Sequence, residues 1–364
     1  MPDGSGSVRR RLYRAPLLVA GAVTMVVAIW GGLIRIGWAA PVPAPAAIES
    51  HGPLMVSGFL GILISLERAV GIGKGWVYAA PLMAVLFAVL TLAGTLPPGM
   101  AALPGVFAAL ILCAAYATVI RESPSRHLWV MAIGAACWLA GNILYALGWP
   151  VFRVVHWWAG FLVLTIVGER LELNRFLRPS PWTWPLFLAA TGTVLGGYLT
   201  GLAVPAAGDR ISGAGYLMLA GWLGHYDVVR HTVRGEGLPK FVAICLMSGF
   251  VWLALGGVIL LGWSPLVAGP MYDAALHAIF LGFVFSMIFG HAPIIFPAIL
   301  ELPIRFRTLA YLPLLLLNIT LALRIAGDWF LSQTLREWGA LGSAAAILFY
   351  FLVTASSLRR NRPE

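Results

Sequence analysis

Three apolar stretches carry the residues most able to do chemistry, and they carry them in one pattern. The first reads GFLGILISLER from Gly58, the second GFLVLTIVGER from Gly160 and the third GFVFSMIFGHA from Gly282. Nine residues after each Gly stands a polar group, Glu67, Glu169 or His291. A histidine precedes each Gly, His51 by seven residues, His156 by four and His277 by five. A neutral imidazole costs less than a charge in an apolar medium and is the commonest ligand of metals and haem iron. A haem held by two histidines needs imidazoles from facing helices at one depth, with small residues beside them. Gly52, Gly58 and Gly61 flank His51, and Ala275, Gly282 and Ser286 flank His277. The offsets spread over three residues, about 4.5 Å of helix rise, so three imidazoles on equivalent helices can converge at similar depth.

His277 and His291 lie 14 residues apart. That is about 21 Å along a helix and within about 40° of one face. They cannot share one metal ion, but they can mark two layers of an interior pathway. Plainer readings stand beside these. His51 and His156 sit where a membrane interface would half-solvate them. His291, before Pro293 and Pro297, reads as a ligand, a proton relay or an interface residue. His225 and His231 bracket Tyr226, Asp227 and Arg230 at a helix end and read as solvated or interfacial, as does His127 at a segment start.

Glu67 with Arg68, and Glu169 with Arg170, add an inner polar layer. Adjacent residues do not face each other on a helix. Each Glu could therefore pair with the other segment's Arg and tie the spans together; proton entry is the alternative role.

These groups must be positioned by membrane helices. Of 364 residues, 60% are hydrophobic and 10% charged, against about 25% charged in soluble domains. That excludes a soluble, a disordered or a collagen-like chain, and the continuous apolar runs exclude a β-barrel. A spanning helix needs about 20 mostly apolar residues. That length predicts an all-α polytopic bundle of twelve transmembrane helices in one integral membrane domain over residues 1–364. The spans are 15–35, 51–72, 76–96, 100–120, 127–148, 152–171, 182–204, 210–229, 239–263, 270–298, 307–327 and 335–357. The patterned segments are the second, sixth and tenth, a recurrence every four helices that points to three four-helix units.

Charge sets the orientation. With both termini cytoplasmic, only Arg35, Arg153, Arg210, Arg324 and Arg336 of the 24 basic residues fall outside. Arg175, Arg178, Arg359, Arg360 and Arg362 are among those inside, as the positive-inside rule requires. The net charge of +10 is thereby explained without nucleic acid. The opening RRRLYR, its apolar run and AAPVPAPAA imitate a secretory signal, but the run exceeds a usual signal core, so the first span is retained. Cys113, Cys137 and Cys245 lie in apolar runs without a CxxC motif and read as packing residues. No HExxH, GxSxG, P-loop or CxxCH occurs.

Twelve spans with histidines on the second, sixth and tenth resemble the catalytic subunit of haem–copper oxidases, with its pseudo-threefold set of four-helix arcs. The chain is more similar still to the NnrS-like proteins, membrane proteins linked to nitric oxide stress and regarded as containing haem and copper. HGPLMVSGFLG from His51 looks like their histidine-led second-helix motif, and ALHAIFLGFVFSMIFGHAP, from Ala275 to Pro293, is similar to their tenth-helix segment. The resemblance implies His51 and His277 as axial ligands of a haem b. It places His156 where the oxidases have a sixth-helix copper ligand, and His291 at the second tenth-helix histidine. It also implies the bacterial cytoplasmic (inner) membrane, a role in nitric oxide response or metabolism or in electron transfer, and a redox partner or small gas ligand. Two departures matter. The seventh span, TWPLFLAATGTVLGGYLTGLAV, has no histidine, and no adjacent histidine pair stands in the tenth. A copper site of oxidase type is therefore not implied, nor is oxygen reduction with proton pumping.

Two other functions remain open. A transporter would use the polar layer and the Gly- and Pro-interrupted tenth span, which resembles a broken helix; a period of six spans would favour it, whereas the pattern has four. A non-catalytic membrane subunit or assembly factor is the other. No general base, nucleophile or substrate pocket is evident, so the sequence does not make the chain an enzyme.

Overall fold

The computed structural model describes the backbone over residues 4–42, 45–173 and 180–358, with side chains from Tyr13 onward. Arg175, Arg178, Arg359, Arg360 and Arg362 lie outside the described residues. So do the side chains of Arg9, Arg10 and Arg11.

A helix occupies each of the twelve expected segments. The first runs from Gly4 to Ile36, its basic start continuing the helix further than hydropathy alone indicates. Then follow His51–Ile72, Gly75–Ala93, Pro98–Glu122, Arg126–Ala146 and Val151–Leu173. Thr183–Gly201 and Pro205–Tyr226 are the seventh and eighth. Gly237–Trp263, Pro270–Leu300, Thr308–Trp329 and Gln333–Ser357 complete the set. Ten of these are long and apolar enough to cross a bilayer. The chain is an all-helical integral membrane protein in contact with lipid.

The seventh and eighth helices are long but less apolar, and their packing gives the reason. A Cβ on Gly197 would stand 2.4 Å from the Ser212 nitrogen, and one on Gly208 would stand 2.3 Å from the Gly201 Cα. Backbones this close demand small residues, which carry little hydropathy but allow tight interhelical contact. Proline opens the eighth helix at Pro205, where its missing N–H costs nothing.

By compactness the described residues form two units. The first contains those up to Phe161, with Ile294–Ile304 and Leu358; the second contains those of Leu162–Pro293 and Arg305–Ser357. The first unit is centred on the buried indoles of Trp138 and Trp158. Trp138 stacks on Phe161, ring centroids 4.7 Å apart. Here Arg14 also reaches from the first helix to the Ile299 carbonyl, to Glu301 and to the Tyr78 hydroxyl. In the second unit Tyr350 stacks on Phe289 at 3.8 Å, and its hydroxyl donates to the Phe289 carbonyl.

Two helices widen locally into π geometry, the second over Leu54–Leu60 and the tenth over Ala278–Val284. The two segments, LMVSGFL and AIFLGFV, are each seven residues long, with Gly-Phe at the fifth and sixth places in both. The sequence pattern that relates these spans thus coincides with a shared departure from α geometry. The sixth helix is α-helical throughout.

Candidate functional site

His51 stands three residues before the first π segment and His277 directly before the second, and each ring is oriented by a backbone carbonyl. His51 Nδ1 lies 2.7 Å from the Ala28 carbonyl of the first helix. His277 Nδ1 lies 2.8 Å from the Asp273 carbonyl. A carbonyl only accepts, so Nδ1 carries a proton, which in a neutral ring leaves the lone pair to Nε2. Fixing one ring nitrogen in this way is how proteins orient an imidazole that ligates through the other.

Gly31 and Gly32 of the first helix make room for this arrangement. A Cβ on Gly32 would come within 2.7 Å of His51 Nδ1, and one on Gly31 within 2.2 Å of the Ala47 carbonyl in the short helix Pro45–Glu49. The segment entering the second helix is thus seated on a Gly-Gly step.

His291 repeats the pattern, with Nδ1 2.7 Å from the Met287 carbonyl one turn back. His156 is half-buried at the start of the sixth helix. His51 and His156 belong to the first unit, His277 and His291 to the second. Among the described residues no group of three or more His, Cys, Asp and Glu side chains is placed to hold a metal ion.

Two arginines of the inner polar layer make close ion pairs. Arg68 folds back onto its own neighbour: Nη2 donates to Glu67 Oε1 at 2.6 Å, and Nε donates to Oε2. Neighbouring Cβ atoms diverge, but the long Arg side chain closes the gap. Arg170 pairs with an aspartate that the sequence did not suggest. Its Nε and Nη2 donate to the two Asp227 oxygens at 2.7 Å each, and Asp227 Oδ1 also accepts the Val229 N–H. His225 and His231 are exposed, whereas Asp227 between them is 1% exposed.

Sequence reasoning also missed a charged cluster beside His277. Asp273 Oδ1 is 3.3 Å from His277 Nδ1. Both Asp273 oxygens accept hydrogen bonds from Arg324, at 2.8 to 3.1 Å. The available signal was spacing: Asp273 precedes His277 by four residues and so shares its helix face.

A buried polar knot grips the π segment of the second helix. Ser57 donates to Asn142 Oδ1 at 2.7 Å and accepts the Trp138 indole N–H at 3.0 Å. Asn142 Oδ1 also accepts the Trp158 N–H at 3.0 Å, while Asn142 Nδ2 donates to the Gly105 carbonyl at 2.8 Å. At the tenth helix, Gly282 lies against Trp252, where a Cβ would come within 2.4 Å. Trp252 in turn donates to Asn318 Oδ1 at 2.7 Å. Each π segment thus packs near a tryptophan that is fixed by a hydrogen bond.

Comparison with known proteins adds one finding. A family model described as Domain of unknown function (DUF8744) matches residues 14–359, nearly the whole chain, which therefore belongs to that family. No curated protein matches.

Proposed function

We propose that this member of the DUF8744 family is a haem-binding protein of the bacterial inner membrane, serving nitric oxide response or electron transfer. His51 and His277 are the axial ligands in this reading. One observation carries it: each histidine shortly precedes one of two π segments that match in length and in Gly-Phe register, His51 by three residues and His277 by one, and both have Nδ1 committed to a carbonyl. Matching local geometry supports equivalent roles for the two helices, and the tautomer supplies the lone pair that iron requires. When bound, a haem supplies one-electron chemistry and a site for diatomic gases. The chain's own contribution is to orient the two rings. The twelve helices cross the membrane with both termini cytoplasmic, arranged as the oxidase-like repeat of four. His156 and His291 are the remaining candidate metal ligands, with no copper site of oxidase type.

An optical spectrum of the purified protein after haem-replete expression tests the proposal. A Soret band is expected, and the double replacement of His51→Ala and His277→Ala should abolish it while the helical circular dichroism persists. No band in the wild type, or a band indifferent to both replacements, rejects the assignment.

A transporter is the second reading, and one observation favours it: the two compact units divide the chain in halves rather than thirds. Against it, a repeat of six would match the second helix with the eighth, yet the shared π register relates the second to the tenth. A period of four accommodates that relation.

A further inference from the structure

At the end of the second unit that holds His277, the tenth, eleventh and twelfth helices gather five ionisable side chains. They are Asp273 and His277 from the tenth, Arg324 and Asp328 from the eleventh, and Arg336 from the twelfth. Their hydrogen bonds are unevenly shared. Arg324 directs its Nε and Nη2 at Asp273. Arg336 gives Nε to Asp328 Oδ1 at 2.6 Å and Nη1 to Gln333 Oε1 at 3.0 Å. Glu337, the other acid on this stretch of the twelfth helix, accepts from Gln333 Nε2. The ninth helix brings no charge here; its Trp263 packs on Trp329. Asp328 is left with one oxygen served and one not. Its side chain has no exposed surface, and among the described residues Oδ2 has no hydrogen-bond partner.

A buried carboxylate oxygen without a donor is costly, because neither water nor protein replaces its lost hydration. A proton on that oxygen removes its share of the charge and so lowers the cost. A metal cation is a poor alternative, since two guanidinium groups share the cluster and no ligand set of three acids, histidines or cysteines exists among the described residues. The geometry points to Asp328 as a proton-binding site, with an exchangeable proton on Oδ2 while Oδ1 remains the acceptor of Arg336. With Asp328 ionised, two aspartates balance two arginines; uptake of one proton from solvent leaves the cluster with one additional positive charge. The site is a place where the membrane domain takes up or releases a proton, and it stands whether or not haem is bound.

Infrared difference spectroscopy of the full-length protein in lipid vesicles, stepped through pH, tests this. A carbonyl stretch of a protonated carboxylic acid should appear, shift when aspartate carboxyls are labelled with carbon-13, and vanish in Asp328→Asn. Asparagine keeps an oxygen for Arg336, so the thermal midpoint should stay close to wild type. The band should also persist in the double His51→Ala, His277→Ala variant. The same band in Asp328→Asn overturns the proposal. Should that variant fail to fold, the labelled wild type decides alone: no aspartate-derived protonated-carboxyl band at any pH that leaves the protein folded overturns it equally.

Discussion

Arg170 and Asp227 hold each other through two parallel hydrogen bonds of 2.7 Å, both side chains almost fully buried. Removing one member of such a pair strands the other's charge in a low-dielectric interior, at a cost of about 3–5 kcal/mol. Replacing both with apolar residues of similar size is often neutral. Arg170→Met alone and Asp227→Leu alone should therefore sharply lower the midpoint of unfolding in a detergent titration, and the double variant should recover most of the loss. Losses that simply add would show that the two side chains act independently.

Asn142 serves three partners at once, Ser57, Trp158 and the Gly105 carbonyl. Asn142→Ala orphans two buried donors and an acceptor. Hydrogen bonds between membrane helices are individually modest, so the summed cost should be about 2 kcal/mol. Asn142→Asp should also destabilise, because the Gly105 carbonyl would then meet an acceptor. Tryptophan fluorescence should report the change, since Trp138 and Trp158 both donate into the knot. Unchanged stability in both variants would remove the knot as a support of the π segment.

Glycine in the seventh and eighth helices matters only where backbones touch. Gly208→Ala places a Cβ 2.3 Å from the Gly201 Cα, whereas Gly192→Ala meets nothing within 4 Å. Overpacking of this kind costs about 1–3 kcal/mol, while an unobstructed alanine gains up to about 1 kcal/mol of helix propensity. Thermal midpoints in detergent should consequently move in opposite directions. Equal shifts would contradict the close approach.

Ten of the helices are legible because each is a strongly apolar run of spanning length, and that signal is local to the chain. The pairing of the second and tenth segments was legible too, since Gly58-Phe59 and Gly282-Phe283 keep their register within the π turns. The widening itself leaves no such trace, and the contact that Ser57 makes with Asn142 within the first π segment spans 85 residues of chain. Partner choice was the least legible part. Arg170 had an adjacent glutamate and a related segment to suggest partners, but Asp227, 57 residues away, became its partner through tertiary packing. Nothing in the sequence singles out Asp328; only burial makes its second oxygen conspicuous.

The seventh and eighth helices decide the number of crossings. They are long enough to span, at 19 and 22 residues, but their glycines, Asp209 and Arg210 lower their hydropathy. Asp209 is already accommodated: it is buried and accepts hydrogen bonds from Ser264 and the Leu266 N–H. A polar residue satisfied inside the protein carries less of the penalty that lipid would impose. Both helices should therefore cross, and the charge distribution places Val204 outside and Glu236 inside. Single cysteines at these two exposed positions, in a background lacking Cys113, Cys137 and Cys245, should react with a membrane-impermeant maleimide on opposite faces of the membrane. Val204→Cys should label in intact cells, and Glu236→Cys only after permeabilisation. Labelling of both positions from one face would mean that this helix pair does not cross as a hairpin, and it would reduce the span count to ten.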